Sequence, residues 1–483
     1  MKSSAFSFLK TAGALQVFGV ASCVAIIAAF ASGRYYLCAA PFVALVFISA
    51  YVVPQTVVFL FIASFFWGRF LFEKHIITVT ATDAAFTLIL IAWSGPIVFE
   101  GRRMRAKAED GIRRILMLFL IWSSFTVAVN AYNYDKAQMA VSFWWVVKCG
   151  EMVLCFLVAA DMLRAVKKEH IIHFILFLGA MQAPVVVWQY RNLGINQAFI
   201  LKRSFITGTL GVHHSMLGLM MMVAIALAIS QIITARRLLY RCGYGFLCLT
   251  YLAIIILSGS RSILIGIPVA ALVWAVQEYK ARPKTVIGFS LAGIAVSAGA
   301  IVSPPGKTFL DSLLYGETGY DISSVSRLFI WEGAVRHFMS AHLWHKLTGV
   351  GLGAYPTIVY DFVIWGGKRF ISGAHNNYLH ALLETGVIGL LLYIVLFVRI
   401  MLSLYRRRHK SVLAYAGFYL TIVLLVSSLT QETFWFQAAF GSFWMFYMVI
   451  ITLAIDGGLS GRKGLPAPGD ERGWERRASP APG

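Results

Sequence analysis

Ser258, Gly259, Ser260, Arg261 and Ser262 put hydroxyls, a glycine and a guanidinium directly ahead of an apolar run. If that run is a helix, the serines can cap it. Its first amides and positive dipole end then point outward beside Arg261, which makes a seat for a phosphate group. The same residues also suit a capped helix whose arginine snorkels to lipid headgroups. Arg203 repeats the pattern in the run Lys202, Arg203, Ser204, Phe205, Ile206, Thr207, Gly208 and Thr209, which again leads into an apolar segment. Arg191 and Lys202 are weaker versions of it.

Further on, Ser326, Arg327 and Trp331 lie in a stretch that reads as an amphipathic helix. It is followed by Gly349, Val350, Gly351, Leu352 and Gly353, where glycine permits tight turns and close backbone approach. Next comes His375, Asn376, Asn377, Tyr378 and Leu379, with Glu384, Gly386 and Gly389 on the helix beyond. An imidazole at a watery mouth, with a reference pKa of about 6.5, can take a proton from a hydroxyl near neutral pH. It can equally be structural. Asn376 or Asn377 is placed to cap the helix, and Glu384 can pair with His380 one turn earlier. His337, His342, His345, His375 and His380 raise the question of a metal, but no HExxH pattern or Cys and His spacing supports one. Lys148 and Glu151 sit three residues apart in mid-helix and can neutralise each other, or line a proton or substrate path.

The elements that must hold these residues are membrane helices. The chain has 483 residues, 59% of them hydrophobic and only 13% charged, which rules out an ordinary soluble domain. The net charge of +21 would suit nucleic acid, but the basic residues cluster between long apolar runs, so no nucleic-acid partner is expected. Apolar segments long enough to cross a hydrocarbon core of about 30 Å fall near 12–31, 37–52, 55–72, 81–99, 113–130, 140–160, 169–190, 209–232, 241–258, 263–279, 284–302, 379–404, 411–429 and 434–455. The expected fold is therefore all-α, a polytopic membrane protein of about 12 to 14 spans.

Every second connector is basic: Arg102 to Arg114, Arg164 to Lys168, Arg236 to Arg241, Lys280 to Lys284 and Arg406 to Lys410. That alternation predicts a cytoplasmic side for all of them and for both termini. Arg203 then stands on the outer side, against the charge bias, and calls for a local partner or a ligand. The outer connectors include one long loop, 303–378, expected to pack back onto the bundle as short amphipathic helices over a cavity. The six cysteines lie in or beside apolar segments, so no disulfide is expected. The first apolar segment reads as a membrane helix, and the Pro-, Gly- and charge-rich stretch 461–483 as a disordered cytoplasmic tail.

Over about residues 200–400 the chain resembles the superfamily of bacterial O-antigen ligases and Wzy-type O-antigen and exopolysaccharide polymerases, which includes protein O-oligosaccharyltransferases. The resemblance rests on the Arg203 to Thr209 run, Ser258 to Ser262, Ser326 to Trp331, Gly349 to Gly353, and Ala374 to Gly389. It implies a GT-C-like fold and a metal-independent, inverting glycosyltransferase of the bacterial inner membrane, without a cofactor. The enzyme would take a glycan from undecaprenyl pyrophosphate and join it to an acceptor hydroxyl at the periplasmic face. Carried over, His375 would activate the acceptor and Arg203, Arg261 and Arg327 would hold the pyrophosphate. Ser260, Ser262, Asn376, Tyr378 and Glu384 would support them.

On this reading the chain divides into membrane helices at 1–190, a catalytic region at 191–404, further membrane helices at 405–460 and the tail. Its partners are the lipid-linked donor, a glycan or lipid A core acceptor, the bilayer and a chain-length regulator. Transfer to a protein hydroxyl is an alternative within the family. A non-catalytic transporter of lipid-linked sugars is a different class. It would spread its charges along a midplane path open to both sides, whereas here they gather at one mouth.

Overall fold

A computed structural model of the chain describes residues 54–66, 70–74, 77–100, 109–163, 166–193, 206–210, 214–279, 283, 287, 322–355, 364–365, 368–369, 373–431, 433–436 and 438–456. The expected spans near 12–31 and 37–52, nearly all of that near 284–302, and the tail lie outside these residues. The first described helix, α1 (Pro54–Phe65), is followed by a hairpin of β1 (Phe70–Lys74) and β2 (Ile77–Thr80). Helices α2 (Ala81–Glu100), α3 (Asp110–Asn130), α4 (Lys136–Met162), α5 (Lys168–Ala180) and α6 (Gln182–Leu193) come next. Then follow α7 (His214–Thr234), α8 (Leu238–Ser258) and α9 (Arg261–Glu278).

The long loop contributes α10 (Ile322–Ser340), α11 (Leu343–Thr348) and a small hairpin, β3 (Ile364–Trp365) with β4 (Lys368–Arg369). The last helices are α12 (Asn377–Arg407), α13 (Val412–Ser427) and α14 (Ala438–Asp456). Among the described residues six helical stretches are long and apolar enough to cross a membrane: Asp110–Asn133, Lys136–Asp161, Lys168–Asn192, His214–Thr234, Leu238–Ser258 and Asn377–Arg407. The fold is a helical, multi-span membrane bundle with two minor hairpins.

One span differs from expectation. The segment near 55–72 stops as a helix at Phe65, and its end pairs as β1 with the β-branched alternation Ile77, Thr78, Val79, Thr80 just beyond it. The expected span near 169–190 is present as Lys168–Asn192, interrupted by a one-residue turn at Met181, because Pro184 in the first turn of α6 has no N–H to donate to Ala180.

α7 and α14 are buried almost all round, as expected of helices at the centre of a bundle. α7 packs on α8 and α13, α14 on α4, and α3 on α12. Lys148 of α4 is buried against Glu151 at 3.0 Å, and it also pairs with Asp83 of α2. The Asp83 carboxylate accepts in turn from the Thr80 N–H at 2.7 Å. The helix therefore carries its lysine neutralised between two acids.

The long loop does pack back, with α10 and α11 both lying on α12. α10 is not cleanly amphipathic, since Leu328, Phe329, Val335 and Met339 are exposed while Ile330 and Ala334 are buried.

Candidate functional site

The start of α12, at the end of that helix opposite the basic Arg406 and Arg407, is held by several side-chain bonds. Asn376 is its cap: the side-chain oxygen accepts from the Tyr378 and Leu379 N–H groups at 2.9 and 3.1 Å. Asn377 is buried inside the helix, donating its N–H to Ser428 O at 2.9 Å and its amide to the Tyr393 hydroxyl at 2.9 Å. Tyr378 donates its hydroxyl to Leu425 O at 3.0 Å.

His375 directly precedes this cap. It has φ +48°, the one non-glycine residue with positive φ among the described residues. A left-handed histidine costs of the order of 1 to 3 kcal/mol, and such strain persists only where the surroundings over-determine it. Here they do. The Asn376 cap holds one side, and on the other the Trp331 indole N–H donates to Ala374 O at 2.9 Å. That bond brings α10 against the His375 segment. Arg327, half-buried, lies one turn before Trp331 on the same helix.

Below His375, the carboxylate of Glu384 is fully buried and gathers three segments. Its Oε1 accepts from the Tyr355 N–H at 3.0 Å, its Oε2 accepts from the Trp435 indole at 3.0 Å, and His380 Nε2 lies 3.3 Å from Oε1. The His380 pairing was readable from the i,i+4 spacing. Tyr355 and Trp435 were not, because both lie far from Glu384 in sequence, and Phe434, Trp435 and Phe436, expected to open the last span, form a buried turn ahead of α14.

The glycine run forms a strap across this cluster. Val350 and Gly351 donate to Leu383 O and Glu384 O, each at 2.9 Å. Its carbonyls accept from α3, α4 and the turn between them: Asn130 to Gly349 O at 3.3 Å, Tyr134 to Val350 O at 2.6 Å and Gln138 to Gly353 O at 2.9 Å. Burial, and then the nearby Glu384 carboxylate, raise the Tyr134 phenol well above its usual range. Gly349, Gly351, Gly353 and Gly386 all have positive φ. A side chain on Gly386 would run into the backbone of Leu347 and Thr348, and one on Gly349 into that of Glu384. Close approach of two backbones fixes both positions as glycine.

The serines near Arg261 behave differently from expectation. Ser260 stands at the start of α9 but makes no side-chain cap. It lies 2.9 Å from the Ser258 hydroxyl and donates to His214 O at 3.1 Å. Ser262 donates to Gln431 Oε1 at 2.7 Å, and its carbonyl accepts from Ser427 at 3.1 Å. These hydroxyls fasten α9 to α7 and to the end of α13, because they are buried where those backbones pass. The first turn of α9 is left without a side-chain cap.

The same fastening links the Arg261 turn to the start of α12, since Ser427 bonds to Ser262 and the adjacent Ser428 bonds to Asn377. The backbone of Arg261 therefore opens α9 at a turn tied through the end of α13 to the start of α12, with its side chain outside what is described. Arg203 lies outside the described residues altogether.

No curated protein matches the chain. Residues 246–394 match the family described as O-antigen ligase. The matched stretch holds the serine and arginine turn, α10, α11, the strap, and α12 from its cap past Gly389. Residues 246–394 of the chain are thus similar to the O-antigen ligase family, and His375 lies within the matched stretch.

Proposed function

We propose that the protein is a membrane glycosyltransferase that moves or polymerises a surface glycan from undecaprenyl pyrophosphate onto an acceptor hydroxyl. The observation that carries the reading is the strained His375 backbone, held between Trp331 and the Asn376 cap inside the O-antigen ligase region. Strain maintained by that many fixed partners suits a group that must meet substrate in one orientation. The charge pattern supports a cytoplasmic side for the basic connectors, and with it a site at the periplasmic face of the inner membrane.

In this reading the imidazole of His375 takes the acceptor's hydroxyl proton as that oxygen bonds to the anomeric carbon. The bond from this carbon to the pyrophosphate oxygen breaks, and the lipid pyrophosphate leaves with the electron pair. One displacement inverts the anomeric centre. Arg203, Arg261 and Arg327 offset the charge that grows on the leaving group. Planar guanidiniums can do so through paired, charge-assisted hydrogen bonds without a divalent ion. The uncapped first turn of α9 adds amides and a dipole of the right sign. Ser260 and Ser262 hold that turn, Asn376 and Tyr378 fix the start of α12, and Glu384 fixes the helix beneath it.

The test is transfer by the purified protein in vesicles with a lipid-linked donor. His375→Ala should fold normally and lose about 10² to 10⁴ in rate, the usual worth of a general base. Wild-type turnover by that variant would refute the role. Offering a second lipid-linked repeat, a lipid A core and a hydroxylated peptide in turn distinguishes polymerase, ligase and protein transferase.

A further inference from the structure

Depth in the membrane can be read along α3. Its first turn carries Arg113 and Arg114, and Glu109 just before it pairs with Arg399 at 3.0 Å. From Arg114, a hydrocarbon core of about 30 Å spans about 20 residues and ends close to Asn130 and Tyr134. The neighbouring α4 starts at the same level, at Lys136.

The strap lies below that level. Gly353 faces Ser142 and Trp145, well inside α4. The Trp122 indole donates to Thr385 O at 2.8 Å, and Trp122 is eight residues, about 12 Å, short of Asn130. The next residue, Gly386, abuts the backbone of Leu347 and Thr348, the last turn of α11.

Burial agrees with this depth. Non-helical backbone inside a bilayer survives only when buried in protein, and Thr348, Gly349 and Gly351 to Tyr355 are all buried. The other face of α11 is the reverse: Leu343 is 72% exposed, Trp344 51% and Leu347 37%. In water, three such side chains on two turns would be an unpaid apolar surface. Against lipid they are ordinary.

We propose that α11 and the strap form a re-entrant element, with Leu343, Trp344 and Leu347 resting on acyl chains in the membrane half opposite the basic connectors. Its partner is the bulk bilayer. The inference stands on depth and burial and is independent of the transfer chemistry.

The test uses the full chain in phosphatidylethanolamine and phosphatidylglycerol vesicles, with the six native cysteines replaced by alanine. Leu343→Cys and Leu347→Cys should react with a membrane-impermeant maleimide more than about tenfold more slowly than Glu332→Cys, whose native side chain is 59% exposed. A bimane dye on the same two positions should be quenched by brominated lipids. Fast labelling would put the face in water, and slow labelling without quenching would put protein over it. Quenching relieved by added polyprenyl lipid would put the donor's tail there. Each of these three results overturns the proposal.

Discussion

One buried carboxylate does much to set how rigid the site is. Glu384 accepts from a backbone amide and an indole, from positions 29 residues before it and 51 after it. Glu384→Gln keeps the shape but presents an amide N–H to one of those donors. An unsatisfied buried donor costs about 1 to 3 kcal/mol. The variant should therefore unfold at lower temperature and lose transfer rate, while adding no new ligand contact. Unchanged melting in detergent would show that the carboxylate does not hold the strap. The i,i+4 spacing exposed the His380 pairing, and the Asn376 cap followed from its place before an apolar helix. Tyr355 and Trp435 left no local signal, since only folding brings them to Glu384. Ser260 and Ser262 were misjudged as caps for the same reason: the carbonyl of His214, at the start of α7, and the amide of Gln431, in the turn after α13, which they bond instead, are far away in sequence.

At the scale of elements, α12 and the strap fit through glycine. α12 changes direction at Gly386, with φ +68°, and α11 ends against that bend. Gly386→Ala adds a methyl group where backbone stands and forces alanine into the left-handed region, at a cost of about 1 to 3 kcal/mol. Limited proteolysis should then cut between residues 341 and 355, where the wild type resists. Equal resistance would mean that the fit at Gly386 does not hold the strap. The long helices were legible from apolar length. The break at Met181 and the hairpin at 70–80 were not, because a short proline-led turn and a four-residue β-branched alternation are faint beside runs of Leu, Ile and Phe.

At the scale of the whole molecule, the buried charge of Lys148 in the bundle is balanced by Asp83 and Glu151. The side chains of Lys148 and Asp83 are 4% and 5% exposed. The spacing showed the Lys148 and Glu151 pair, whereas Asp83 belongs to a different helix. Lys148→Met leaves two facing carboxylates and should destabilise the protein by about 3 to 5 kcal/mol. Combining it with Asp83→Asn should recover part of the lost melting temperature. No recovery would mean that the lysine acts through Glu151 alone. This balance anchors α2 to α4, and α4 carries Gln138 to the strap, so the core charges and the site share one helix.

The central claim is that the start of α9, α10 and the His375 segment meet around one lipid pyrophosphate. A structure of the full chain with a non-hydrolysable lipid-linked donor tests it most directly. The account predicts phosphate oxygens within hydrogen-bond reach of the Arg261 and Arg327 guanidiniums, with His375 facing the anomeric carbon from the side opposite the leaving group. A donor bound with its phosphates away from both arginines, or with His375 turned from that carbon, would contradict it.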